Sequence, residues 1–210
     1  MTYSVKECFY TLQGEGAQSG RAAVFLRFAG CNLWSGLERD RASALCKFCD
    51  TDFVGVDGDG GGKFTSPDAM AAHVAAKWGG ASGKPYVVCT GGEPLLQLDE
   101  VLIAALHARG FEVAVETNGT IAAPSSLDWV CVSPKSTARL EQVTGDELKL
   151  VYPQTDAPPE KFSALGFRNF FLQPMDGPRR DENTAACIAY CLAHPQWRLS
   201  LQTHKVTGIP

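Results

Sequence analysis

The chain has 210 residues, 45% of them apolar and 20% charged, with a formal net charge of −4. That length suits one compact unit with a real hydrophobic core, so a single domain over residues 1–210 is expected. The weak negative charge gives no electrostatic reason to expect nucleic acid or an anionic membrane as partner, and no apolar run approaches the ~20 residues of a membrane helix. The start MTYSVKECFY lacks an export pattern. Eight cysteines without such a signal predict a reducing cytoplasm, where cysteine clusters are more often metal or redox sites than disulfides.

Ser4–Tyr10 alternates polar and apolar residues and reads as a strand ending at Thr11-Leu12-Gln13-Gly14-Glu15-Gly16. The glycines around Glu15 make either an ordinary turn or a tight backbone holding one carboxylate outward. Ala22–Ala29 is an apolar strand broken by Arg27. A guanidinium there is costly unless it reaches the rim or meets an anion. After Gly30 comes Cys31–Thr51, with fourteen residues between Cys31 and Cys46 and two between Cys46 and Cys49. Three thiolates can hold three irons of a four-iron cluster and leave the fourth without a protein ligand. A structural zinc site is normally closed by a fourth ligand, and neither Cys8, in a strand, nor His73, in a predicted helix, stands nearby. Taken alone, the loop leaves iron–sulfur, zinc and unligated thiols open.

Asp57–Lys63 is glycine-rich and reads as a flexible link without chemistry. Phe64 follows Gly62-Lys63 where a phosphate-binding loop needs Ser or Thr, and the acidic pair lacks the end of a calcium loop. Ser66 and Pro67 then open a helix that turns Met70, Val74 and Trp78 to the core and His73 to the surface. Pro85–Thr90 is a continuous apolar strand of the doubly covered kind. Gly91-Gly92-Glu93-Pro94 follows, then a helix with Val101, Leu102, Ala105 and Leu106 on one face, stopped at Gly110. Strands are expected at Glu112–Thr117, Asp128–Val132, Glu147–Tyr152 and Arg168–Leu172. Cys187, Tyr190 and Cys191 share the buried face of a helix halted by Pro195, and a last strand, Trp197–Leu201, leads to Gln202-Thr203-His204-Lys205.

Strand and helix alternate, with a polar or glycine-bearing signature after most strands. That order predicts an α/β fold with a parallel sheet and helices outside. A complete eight-unit barrel needs ~250 residues, so a curved, incomplete barrel of about six strands is expected, its site at the C-terminal ends of the strands. The cysteines, Gly91-Gly92-Glu93-Pro94, Glu116, Ser133, Lys135, Gln173 and His204 would then line one mouth.

With LQGEG, the ending Cys-x-x-Cys-Asp-Thr, TGGEP, ETNG, SPK, a late Gln-Pro and a terminal HK in this order, the chain resembles the radical S-adenosylmethionine superfamily. Within it, the likeness is to the 7-carboxy-7-deazaguanine synthase family of the queuosine and 7-deazapurine pathway, and covers nearly the whole chain. The superfamily usually places three residues between its first two cysteines; the fourteen found here imply an inserted loop that returns at modest closure cost.

The resemblance implies a lyase that converts a 6-carboxytetrahydropterin to 7-carboxy-7-deazaguanine with loss of ammonia. A 5′-deoxyadenosyl radical would start this by removing hydrogen at C6. It implies a [4Fe-4S] cluster on Cys31, Cys46 and Cys49, with Phe48 beside it, and magnesium on Thr51, a hard cation on an oxygen ligand. S-adenosylmethionine would meet Gly91, Gly92, Glu93, Glu116, Ser133, Lys135 and Gln173. The substrate would meet Leu12, Gln13, Gly14, Glu15, Arg27, Thr90, His204 and Pro210. It also implies a homodimer and a flavodoxin-like or other one-electron reductant. Two alternatives stand beside it: a glycyl-radical activase with the same cluster, and a zinc-stabilised binding module without enzymatic activity.

Overall fold

A computed structural model describes residues 2–210. Its strands are β1 (Tyr3–Leu12), β2 (Ala22–Phe28), β3 (Gly62–Phe64), β4 (Tyr86–Gly91), β5 (Glu112–Thr117), β6 (Trp129–Val132), β7 (Thr144–Tyr152), β8 (Gly166–Pro174) and β9 (Trp197–Leu199). The helices are α1 (Pro67–Trp78), α2 (Glu100–His107), α3 (Arg180–Ala193) and α4 (Thr203–Thr207). All nine strands join one sheet in the order β3-β1-β2-β4-β5-β6-β7-β8-β9. β1 runs antiparallel to β2 and β3, and every later pairing is parallel. The sheet is larger than the expected count of about six because short edge strands and an antiparallel pair extend the parallel run.

Period-two alternation divides the side chains between two faces. Val24, Leu26, Phe28, Val87, Cys89, Val113 and Val115 face outward and pack on Met70, Val74, Leu102 and Leu106 of α1 and α2. Further along, Val132, Leu148, Leu150 and Leu172 pack with Cys187 of α3. The other face carries a smaller apolar group, Ala23, Tyr86, Val88 and Ala114, with Phe25 and Trp129 beside it. At the N-terminal strand ends Arg21 forks onto Glu112, with two contacts of 2.9 Å, and stacks 3.8 Å from the Tyr86 ring centre. This plugs the side away from the cysteine loop.

β3 and β9 do not pair, so the sheet stays open. The turn after β1 reaches across the gap: Gly16 N donates to Ser200 Oγ at 3.0 Å, and Thr203 N donates to Gly14 O at 3.1 Å. Gly14 serves this close approach, since a Cβ there would lie 2.5 Å from Nδ1 of His204. LQGEG is therefore the latch between the first strand and the last helix.

Three expectations need correction. Asp57–Lys63 is packed rather than a free link: Gly58 N donates to Lys6 O, Cys8 N to Asp59 O, and Gly62–Phe64 pairs with β1. Glycines suit it because the chain lies against β1, where a Cβ on Gly61 would stand 2.3 Å from Lys6 O. On α2, Val101 is 62% exposed and Ile103 is in the core instead, because Leu102, Ile103 and Leu106 share one face at helical spacing and Val101 lies beyond its edge. α1 follows expectation at its start, with Ser66 Oγ accepting from Ala69 N and Pro67 opening it, while His73 is half-buried against Phe64 with its Nε2 2.8 Å from Gly60 O. No helix of the described residues is long and apolar enough to cross a membrane.

Candidate active site

Strand register builds the floor of the site. Glu7 pairs with Arg27, Arg27 with Thr90, Glu116 with Cys131, and Cys131 with Glu147. Thr90 and Glu116 hydrogen-bond across β4 and β5 (3.4 Å). These residues form one polar level across six strands, above the inner apolar group. Over that level lies a cavity of about 380 Å³, within the ~300–1,000 Å³ of small-molecule sites. It sits at the C-terminal strand ends, where open α/β sheets place ligands.

The centre of the floor is a buried lysine that the sequence reading passed over. Lys149 of β7 is 4% exposed and meets Glu15 at 2.6 Å and Glu116 at 3.2 Å. Burial pulls its pKa down, but Glu116 and Glu15 outweigh that and hold the ammonium well above the ordinary lysine value. Burial likewise pushes Glu15 up, yet Lys149 and Gln202 hold its carboxyl well below the usual range. Glu116 also accepts from Gln13 Nε2 (3.1 Å). Its partners are thus Gln13, Thr90 and Lys149, on the side expected for substrate, and it makes no hydrogen bond to Ser133 or Lys135. Behind Lys149, Glu147 accepts from Ala17 N (2.9 Å) and Cys131 Sγ (3.5 Å).

Arg27 grips an anion within the fold: its Nε donates to Glu7 at 2.7 Å, and both residues line the cavity. Leu12, Thr51, His204 and Pro210 also line it, and the Pro210 carbonyl accepts from Thr11 Oγ1 at 3.1 Å. Lys205 spans Asp50 of the cysteine loop (2.5 Å) and Asp176 after β8 (2.6 Å), which fastens α4 across the mouth.

All eight cysteines are free thiols. Cys49 faces the cavity. Its neighbour Cys46 holds the Cys49 thiol below its ordinary value and is itself raised by Cys49. Burial raises Cys31, which sits close enough to feel the charges of Glu93 and Cys49. Among the described residues, no three His, Cys, Asp or Glu side chains gather around a point fit for a single metal ion. Three soft sulfurs on one loop, with Cys49 in the wall of the polar cavity, fit an iron–sulfur cluster with one corner free in their donor chemistry.

The inserted segment folds back through a 3-10 turn, Glu38–Ser43. Arg41 anchors it: the guanidinium lies 4.0 Å from the Trp34 ring centre, bonds Glu38, and donates to the carbonyls of Lys47 and Cys49 at 3.1 Å each. This clamp explains how fourteen residues between Cys31 and Cys46 return to one place.

The glycine and asparagine signatures support the same loop. Glu93 is fully buried (0% exposed) and accepts from Thr117 Oγ1 (2.7 Å), Asn118 N (2.8 Å) and Leu95 N (3.0 Å). It does not line the cavity itself but stands next to Gly91 and Gly92, which do. Asn118 in turn bonds Asn32, the neighbour of Cys31, at 2.9 Å. Gly91 has φ +146°, and a Cβ on it would lie 2.3 Å from Phe28 O; one on Gly92 would lie 2.2 Å from Gly30 O. Both glycines face the cavity too. Gly92→Ala is expected to destabilise the fold by about 1–3 kcal/mol through overpacking and to lower iron retention after anaerobic reconstitution. Unchanged iron content and melting temperature would show that the turn tolerates the methyl. On the remaining wall, Lys135 Nζ donates to Ser133 O (3.0 Å), and Gln173 accepts from Ser200 Oγ (3.1 Å); Ser133, Lys135 and Gln173 line the cavity.

Lys149, Glu7, Arg41 and Lys205 are the site residues that sequence reasoning missed. Glu147 and Lys149 did carry a signal, since they alternate with Leu148 and Leu150. An inward polar face on an otherwise apolar strand marks a site.

No family model matches the chain. It is 66% identical over 210 residues, covering 100% of both chains, to the 7-carboxy-7-deazaguanine synthase of Caulobacter vibrioides. The enzyme of that name from Bordetella pertussis is 65% identical over 210 residues, again with full coverage of each. Among solved structures, QueE from Escherichia coli matches with a TM-score of 0.73 and 28% identity, over 96% of this chain and 94% of that one.

Proposed function

The chain belongs to the 7-carboxy-7-deazaguanine synthase family of radical S-adenosylmethionine enzymes, and from that premise we propose how its cavity divides between cofactor and substrate. It is a lyase of 7-deazapurine biosynthesis, and we read its substrate as a 6-carboxytetrahydropterin. When bound, the cluster and S-adenosylmethionine supply a 5′-deoxyadenosyl radical that removes hydrogen at C6, after which the ring contracts and ammonia leaves.

Cys31, Cys46 and Cys49 hold the cluster. Ser133, Lys135 and Gln173, with the backbone at Gly91 and Gly92, form the cofactor wall. Lys135 is the cation on that side and suits the methionine carboxylate. The opposite wall takes the pterin. The free guanidinium edge of Arg27 suits a carboxylate or ring carbonyl, while Glu15, Glu116 and Gln13 offer acceptors to the amino–amidine edge. Thr51 provides an oxygen ligand for magnesium shared with the substrate carboxylate. His204 and Pro210 close the cavity beside the LQGEG turn. The observation that carries this reading is the placement of the free thiol Cys49, on the loop that also bears Cys31 and Cys46, in the wall of a cavity whose floor is one continuous polar level.

Anaerobic incubation of reconstituted protein with reductant, S-adenosylmethionine, magnesium and the carboxypterin is expected to release ammonia and 7-carboxy-7-deazaguanine, followed by mass spectrometry. In Thr51→Ala the magnesium stimulation should vanish. Unreacted pterin with an intact cluster would remove this function and favour the activase, and an undiminished magnesium response would remove Thr51.

A further inference from the structure

A buried cation that touches two cavity carboxylates from separate elements is more than structural filling. Lys149 reaches Glu15, from the turn after β1, and Glu116, from β5. Cys131 on β6 and Glu147 on its own strand also face it, and Glu147 is occupied by Ala17 N and Cys131. Lys149 has three protons to donate, no acceptor function and almost no water. Its two contacts therefore fix the carboxylates in the floor of the cavity, which Lys149 lines beside them. Gln13 and Thr90 complete the donor set around Glu116, and Gln202 donates to Glu15 at 3.0 Å. Every protein group touching these two carboxylates is a donor, so each oxygen left facing the cavity is an acceptor.

We propose that Lys149 is the specificity-determining positioning residue of this site: by fixing Glu15 and Glu116 as a pair of acceptors, it selects a ring edge bearing donors, the 2-amino pyrimidinone, over the 2-oxo edge of the same ring. This deepens the proposed pterin reading and rests on it. A 2-oxo ring would set its carbonyl against ionised oxygens, and buried polar groups left unpaired are where binding sites discriminate most strongly. Without the lysine, an uncompensated carboxylate can take a proton or turn away, and either change admits an acceptor.

The test measures binding, not turnover. Anaerobically reconstituted holoenzyme with S-adenosylmethionine is titrated with 6-carboxypterin and with 6-carboxylumazine, its 2-oxo counterpart, by quenching of ligand fluorescence. The parent should prefer the pterin by about 100-fold or more. In Lys149→Met the preference should fall below about tenfold, with iron content and S-adenosylmethionine affinity retained. Lys149→Gln, which can still donate but has no charge, is the second variant if the first fails to fold, and should show the same loss. Parent-like discrimination in either folded variant would reduce Lys149 to a structural role and overturn the inference while leaving the pterin reading intact. A parent indifferent to the 2-position would overturn both.

Discussion

Cys49→Ala is expected to yield a folded but colourless protein that retains little iron after anaerobic reconstitution and forms no detectable product. Cys49 is the cysteine that faces the cavity, and without it two thiols are left to hold a cluster that needs three. The chemistry belongs to the cofactor, so its loss removes the whole rate enhancement rather than a fraction. Cys187→Ala is the control. Cys187 is fully buried on the core-facing side of α3, so the substitution should lower stability by roughly 1 kcal/mol and leave iron content unchanged. Parent-level iron in Cys49→Ala, or its loss from Cys187→Ala, would contradict the ligand assignment.

Glu93→Ala tests the other large effect. The substitution strands three buried donors, on Thr117, Asn118 and Leu95, and should destabilise the cluster-free protein by about 2–4 kcal/mol in denaturant unfolding. The loss should spread to iron retention through Asn118 and Asn32. Burial raises the Glu93 carboxyl above its ordinary value, against hydrogen bonds from Asn118, Thr117 and Leu95 that lower it. A carboxyl that binds its proton more tightly when folded adds stability at low pH, and that part fades as pH rises through the raised value. Parent minus variant should therefore be larger below the ordinary glutamate range than above the raised one. If Glu93→Ala weakened only S-adenosylmethionine binding, with stability and iron intact, the side chain would be a ligand contact and the scaffolding role would fail.

The strands, the cysteine loop and the single mouth were legible because each rests on local pattern: apolar runs, Cys spacing, and glycine signatures after strands. The roles of Glu93 and Asn118 were not. Sequence shows a carboxylate and an amide beside turns, but only the fold shows that Asn118 bonds both Glu93 and Asn32. Lys149 was hidden for a similar reason. Its partners Glu15 and Glu116 come from other elements, and no local periodicity reports a pairing set by register from β5 to β7 and by the turn after β1. Arg27 was half legible: burial demanded an anion, but Glu7 was identified only by β1 pairing with β2. The link at Asp57–Lys63 was misread because glycine marks close packing as readily as freedom.

Because recognition groups and outer-core groups occupy alternate positions of the same strands, the enzyme has two nearly independent alphabets written on one ribbon. Substitutions among Arg27, Thr90, Glu116 and Lys149 can re-tune what is accepted while Leu26, Cys89, Val115 and Leu148 go on holding the helices. A single inserted or deleted residue has no such freedom: it would exchange the alphabets downstream in that strand, burying charge against the helices and turning leucines toward the ligand. Diversification of this lineage is therefore expected to proceed by point replacement within strands and by length change only in loops, the stretch between Cys31 and Cys46 foremost among them.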